Sequence, residues 1–88
     1  MERNAIVIDP TDNVATSLID VAQDEAVVCE YGGKLTACEP IPAGHKVALT
    51  AIAEGEIVRK YGYPIGVAGR PIAAGDYVHT HNLAAAEN

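Results

Sequence analysis

Four stretches of the chain repeat one short pattern, and they follow one another too closely to leave room for a layer of helices. They are VAQDEAV (21–27), IPAGHKV (41–47), IAEGEIV (52–58) and IAAGDYV (72–78). Each opens on an aliphatic residue, passes through a small turn ending in glycine (Asp24 in the first copy), adds two residues and closes on valine. Glycine in that place suits a backbone with φ > 0, where other residues are strained. The copies start at 21, 41, 52 and 72, offsets of 20, 11 and 20, which is no solenoid period. The pattern predicts one device used four times: an apolar anchor enters, a tight turn reverses the chain, and a strand leaves. The expected fold is all-β, built of many short, strongly bent strands, with at most one short helix near 14–21.

The chain is 88 residues long, room for one domain, with an expected ordered core over about 5–83 and a tail over 84–88. It contains no Phe or Trp, so its core has to be Val, Ile, Leu and Ala. Strands are expected at 4–8, 25–31, 35–39, 46–51, 56–61 and 77–81, with turns at 9–13 and 32–33. The segment 14–21 reads as a strand, or as one helical turn capped by Asp12 or Asn13. The segment 63–69 reads as a turn and short strand, with Pro64 and Gly66 at an edge or bend.

Twelve acidic against six basic residues, a net charge of −6, speak against nucleic-acid binding, which needs a basic patch. No apolar run approaches the ~20 residues that span a bilayer, so no membrane partner is expected. Cys29 and Cys38 are too few for a disulfide framework and lack the CxxC spacing of a zinc ribbon. They are expected to be reduced thiols of a cytoplasmic protein.

The stretch IAAGDYVHTHNL (72–83) carries the densest chemistry. Read as a strand over 77–81, it sends Val78 and Thr80 one way and Tyr77, His79 and His81 the other. The two imidazoles then stand about 6–7 Å apart on one face, near enough for both to reach one small ligand or ion. The third histidine, His45, stands directly after a turn glycine, where the sibling copies carry Glu25, Glu56 and Asp76. Histidine can act as acid, base or metal ligand near neutral pH, but two histidines alone do not make a metal site. Lys46 and Lys60 are candidates for holding a carboxylate, and Asn82 for bonding a hydroxyl or ending the strand. Arg59, Arg70 and Tyr61 are expected to be surface or packing residues.

DNVA (12–15), GHKVAL (44–49), IAEGEIVRKYGYPIGVA (52–68) and IAAGDYVHTHN (72–82) together resemble the SAF domain of the altronate and galactarate dehydratases. Nearly the whole chain is covered; only CEYGGKLTACEPIPAG, from Cys29 onward, is longer than the simple turn expected there. The resemblance implies a β-clip fold, a long bent hairpin folded over itself. It implies the small subunit, or N-terminal domain, of a hydro-lyase that removes water from a polyhydroxy sugar acid, working with a separate large subunit. It also implies dependence on a divalent metal ion, iron(II), shared with or bound by that subunit. His45, His79 and His81 are then the catalytic candidates, and also candidate metal ligands beside ligands from elsewhere. Lys46, Lys60 and Asn82 are the substrate-binding candidates. Self-association is left open. The sulfolactate sulfo-lyase small subunit is a similar chain and gives a second reading. A non-catalytic SAF module that binds a carbohydrate or a partner gives a third.

Overall fold

The residue at the fourth place of each repeated copy is left-handed, with φ of 71° at Asp24, 83° at Gly44, 86° at Gly55 and 92° at Gly75. The computed structural model describes residues 3–30 and 33–85. In it every copy makes the same reciprocal pair of backbone bonds. The N–H of the left-handed residue donates to a residue on another strand, and that residue donates back to the following carbonyl. Asp24 N–H donates to Ala37 O (2.8 Å) and Ala37 N–H to Glu25 O (2.9 Å). Gly44 and His45 pair in this way with Ser17, Gly55 and Glu56 with Ala68, and Gly75 and Asp76 with Ala48. The four recipients, Ser17, Ala37, Ala48 and Ala68, each lie four residues before an anchor. The copies therefore couple two by two. The anchors confirm it: Val21 bridges Ile41, and Ile52 bridges Ile72. The offset of 20 within each couple is the chain needed to return to its twin.

Nine short strands result: β1 (Ala5–Ile6), β2 (Val14–Ser17), β3 (Ala26–Cys29), β4 (Gly33–Thr36), β5 (Lys46–Ala48), β6 (Ile57–Lys60), β7 (Tyr63–Ala68), β8 (Tyr77–Val78) and β9 (Leu83–Ala84). All pairings are antiparallel. A four-stranded sheet runs β1-β2-β5-β8, β3-β4 is a hairpin, and a three-stranded sheet runs β6-β7-β9. The four-stranded sheet is a wall with a core on each side. Ala15 and Val47 enter one core with Val21, Val27 and Ile41, while Tyr77 packs against it. Val14, Ala48 and Val78 enter the other with Ile52, Val58 and Ile72. Adjacent strand residues point to opposite faces, so each of these strands feeds both cores. Each core holds the anchors and closing valines of one coupled pair of copies.

The expected all-β class and the four repeated turns stand; several details differ, among them Gly33, expected in a turn, which opens β4. Among the described residues there is no helix at 14–21, where β2 runs instead. Asp12 and Asn13 cap no helix but hold the β6–β7 hairpin. Its tip, Tyr61 and Gly62, is left-handed at both residues (58° and 78°), as a tight two-residue hairpin requires. The buried Asp12 carboxylate accepts both tip amides, at 2.8 Å from Tyr61 and 2.7 Å from Gly62. Asn13 pairs with the β6 edge through Ile57 O and Arg59 N–H. The extra length after Cys29 is the β3–β4 hairpin, in register Val27 to Leu35. Tyr31 and Gly32, expected at a strand end and in a turn, lie outside the described residues, as do 86–88 of the tail. Ala84 of that tail pairs with Val67. Strands are shorter than expected because pairing ends where the next bent turn begins.

A Cβ built on Gly75 would overlap the Thr36 carbonyl oxygen, whereas one on Gly44 meets no atom within 4 Å. Gly44→Ala should cost about 1 kcal/mol, the left-handed penalty alone. Gly75→Ala should cost roughly 3 kcal/mol or more, because overlap adds to it. Equal urea midpoints for the two variants would show that the close approach does not matter.

Candidate functional site

In three copies the acid after the left-handed residue reaches back to the amide that follows its anchor. Glu25 accepts from Ala22 N–H at 2.7 Å, Glu56 from Ala53 N–H at 2.7 Å and Asp76 from Ala73 N–H at 2.8 Å. In the second copy the corresponding residue is Pro42, which has no N–H to offer. The acid is not needed there, and the next amide, Ala43 N–H, is taken by Asp20 at 2.9 Å. His45 occupies the released position.

β5 pairs with β8 in the register Lys46 to Val78 and Val47 to Tyr77. One step further along, His45 stands opposite His79, with ring centroids 5.2 Å apart. Tyr77 is the hub of the group. Its ring lies nearly parallel to that of His79 (5.4 Å, 7°), edge-on to His45 (5.5 Å) and tilted against His81 (5.7 Å). Its hydroxyl is 2.8 Å from His45 Nδ1. The structure thus brings all three histidines around one tyrosine. Among the described residues, Nε2 of His45 and both ring nitrogens of His79 and His81 have no hydrogen-bond partner. The rings are fixed by packing while their reactive atoms stay open.

Strand alternation over 77–81 is not what holds this group. β8 ends at Val78, and the chain turns at once. The cause is Asn82, 4% exposed. Its Oδ1 accepts from His79 N–H (2.9 Å) and its Nδ2 donates to Tyr77 O (2.9 Å). Both ends of the side chain are engaged by the turn, so Asn82 shapes the site. Arg70 holds the far side of the turn, donating from Nε (3.1 Å) and Nη2 (2.7 Å) to His81 O.

Lys46 and Lys60 come together, but on the other face of the wall. Lys46 follows His45 directly and shares its face with Val78; Lys60 lies two residues after Val58 of the same core. Burial lowers the Lys46 ammonium below its ordinary pKa, and the charge of Lys60 lowers it further. Neither lysine has a carboxylate partner among the described residues. Tyr61, expected to pack, is exposed at the hairpin tip, its ring 4.9 Å from Lys60 Nζ.

Among the described residues no three His, Cys, Asp or Glu side chains are grouped to hold a metal ion. One nitrogen of His45 is already taken by Tyr77. This chain's donors do not fit a metal site by themselves. Cys29 is buried and Cys38 exposed, and neither is in a disulfide. No helix among the described residues is long and apolar enough to cross a membrane.

Tyr77 was the residue sequence reasoning left out of the site. The signal was present: the strand reading already put it on the face of His79 and His81. Its distance to His45 depends on the β5–β8 register, which local pattern does not reveal.

The family model described as altronate/galactarate dehydratase SAF domain matches residues 3–86. Altronate dehydratase of Escherichia coli (strain K12) is 47% identical over 77 residues, 88% of this chain and 15% of that protein. Altronate dehydratase of Bacillus subtilis (strain 168) is 38% identical over 80 residues, 91% of this chain and 16% of that protein. The (2R)-sulfolactate sulfo-lyase subunit alpha of Paracoccus pantotrophus is 49% identical over 49 residues, 56% of this chain and 73% of that protein.

Asn82→Ala leaves a part-buried N–H and a part-buried carbonyl without partners, so it should cost about 2–4 kcal/mol by chemical denaturation. His81→Ala, at an exposed position, should stay within about 0.5 kcal/mol of the parent. The reverse ranking would make Asn82 a ligand-binding residue and His81 a structural one.

Proposed function

Because the chain belongs to the altronate/galactarate dehydratase SAF domain family, we propose that it is the small component of a sugar-acid dehydratase. The observation that carries this reading is the convergence of His45, His79 and His81 on Tyr77 with ring nitrogens left open. The chain spans 15% and 16% of the altronate dehydratases it matches. In this proposal the greater part of the active site, including the divalent ion, belongs to a separate large subunit.

Dehydration of a 2,3-dihydroxy acid takes a proton from the carbon next to the carboxylate and expels the neighbouring hydroxyl. It needs a base, a donor to the leaving oxygen, and stabilisation of an enolate-like intermediate. Imidazoles suit each of these roles. The substrate carboxylate is assigned to Lys46 and Lys60. Lys46 is next to His45 in the chain but faces the other side of the wall, so a substrate held by both has to wrap around the end of β5. An anion there offsets the mutual repulsion of two half-buried ammonium groups.

A second reading, the small subunit of a sulfolactate sulfo-lyase, is favoured by the relative of which this chain covers 73%. Comparing turnover of altronate and of (2R)-sulfolactate by the assembled enzyme separates the two.

The chain alone is expected to show negligible dehydratase activity, restored by the large subunit. In the assembled enzyme, alanine at His45, His79 or His81 should lower turnover by roughly 10²–10⁴. Full activity of all three variants would make the imidazoles ordinary surface residues, and full turnover by the chain alone would remove the need for a partner.

The Lys46 shift gives a pH test. While Lys46 is charged its burial opposes folding. The penalty is complete below its folded pKa and fades as pH rises toward its ordinary 10.5. A bound carboxylate favours the charged form, so altronate binding to the assembled enzyme as the pH approaches 10.5 should take up protons. Binding heats that do not change between buffers of different ionisation enthalpy would place the carboxylate away from Lys46.

A further inference from the structure

Tyr77 does two separable things. Its ring stacks on His79, and its hydroxyl meets His45 Nδ1 at 2.8 Å. Of these two groups the phenolic O–H is the better donor and a bare imidazole nitrogen the better acceptor. We infer that Tyr77 donates to Nδ1 of His45, making it a positioning residue that fixes which nitrogen of His45 carries the proton.

The consequence is a division of labour among the three histidines. It rests on the dehydratase reading and deepens it. With Nδ1 held as an acceptor, the proton of His45 sits on Nε2, which has no partner among the described residues. His45 then presents an N–H and has no free lone pair, so it cannot serve as the base. It is a hydrogen-bond donor to oxygen, suited to the carboxylate that gains charge as the enolate forms. Within this chain the base then falls to His79 or His81, whose nitrogens Tyr77 does not engage: it touches those rings only by packing. The same tyrosine thus locks one imidazole into the donor form and leaves the other two free to exchange protons. Pro42 is what lets this happen. Were Pro42 a residue with an N–H, as in the other copies, position 45 would serve the turn with an acid.

Tyr77→Phe removes the hydroxyl and keeps the stacked ring. In the 88-residue chain, long-range 15N–1H correlations at about pH 9, where imidazoles are uncharged, read the tautomer directly. The expected spectrum shows His45 with Nδ1 bare and Nε2 protonated, and Tyr77→Phe shifts the Nδ1 resonance. A proton on Nδ1 of His45 in the parent would overturn the assignment. In the assembled enzyme, Tyr77→Phe should lower kcat roughly tenfold, the scale of one hydrogen bond. It should lower it no further in a His45→Ala background, because the hydroxyl acts only through that imidazole. An equal loss in both backgrounds would mean that Tyr77 acts independently of His45. If His45→Ala kept full activity, the dehydratase role of His45 would fail, while the nitrogen spectra would still decide the tautomer.

Discussion

The fold depends on one exchange of hydrogen bonds, made four times. A left-handed residue and its successor clasp a single residue on a distant strand, through the N–H of the first and the carbonyl of the second. A left-handed residue turns its amide away from the path of its own strand, so the amide needs a partner from outside. The partner always stands four residues before the anchor of the twin copy. Each copy therefore fixes its twin and is fixed by it. A core of Val, Ile and Ala without Phe or Trp is thin, and these reciprocal clasps supply the specificity that large aromatic side chains give other small domains.

The site is a by-product of that arrangement. Once Gly75 and Asp76 clasp Ala48, the register of β8 on β5 follows, and His45 must face His79. Nothing in the histidine cluster is required to bring its members together. The backbone does it, and the rings only settle against Tyr77. This is why the imidazoles can be open at their nitrogens and yet held at 5–6 Å spacings.

Much of this was legible in the residues. The spacing of glycine and valine showed the four turns, and the all-β class followed. The face shared by Tyr77, His79 and His81 was visible as alternation, although the strand stops at Val78 and a turn does the work. Sequence reasoning missed what depends on partners far along the chain. Asp12 looked like a local cap, but it holds a hairpin tip 49 and 50 residues away. Asn82 was open to two readings, a residue that bonds a hydroxyl or one that ends the strand. Only its burial and its two backbone bonds show that it builds the turn. His45 stood out as an exception among its siblings, but the reason lay three residues earlier, in the missing N–H of Pro42.

The wall between the two cores has a further consequence for motion. β2, β5 and β8 alternate between the cores residue by residue, so the middle of the sheet has no solvent face along which water could pry it open. Local opening in such a structure starts at the outer hairpins and reaches the wall last. The imidazoles ride on the end of this wall. A partly frayed molecule with either core disrupted loses the β5–β8 alignment, and with it the facing of His45 and His79. The site is therefore present only in molecules where both cores are closed, which ties its availability to the cooperativity of the whole domain and not to the stability of the loop that carries it.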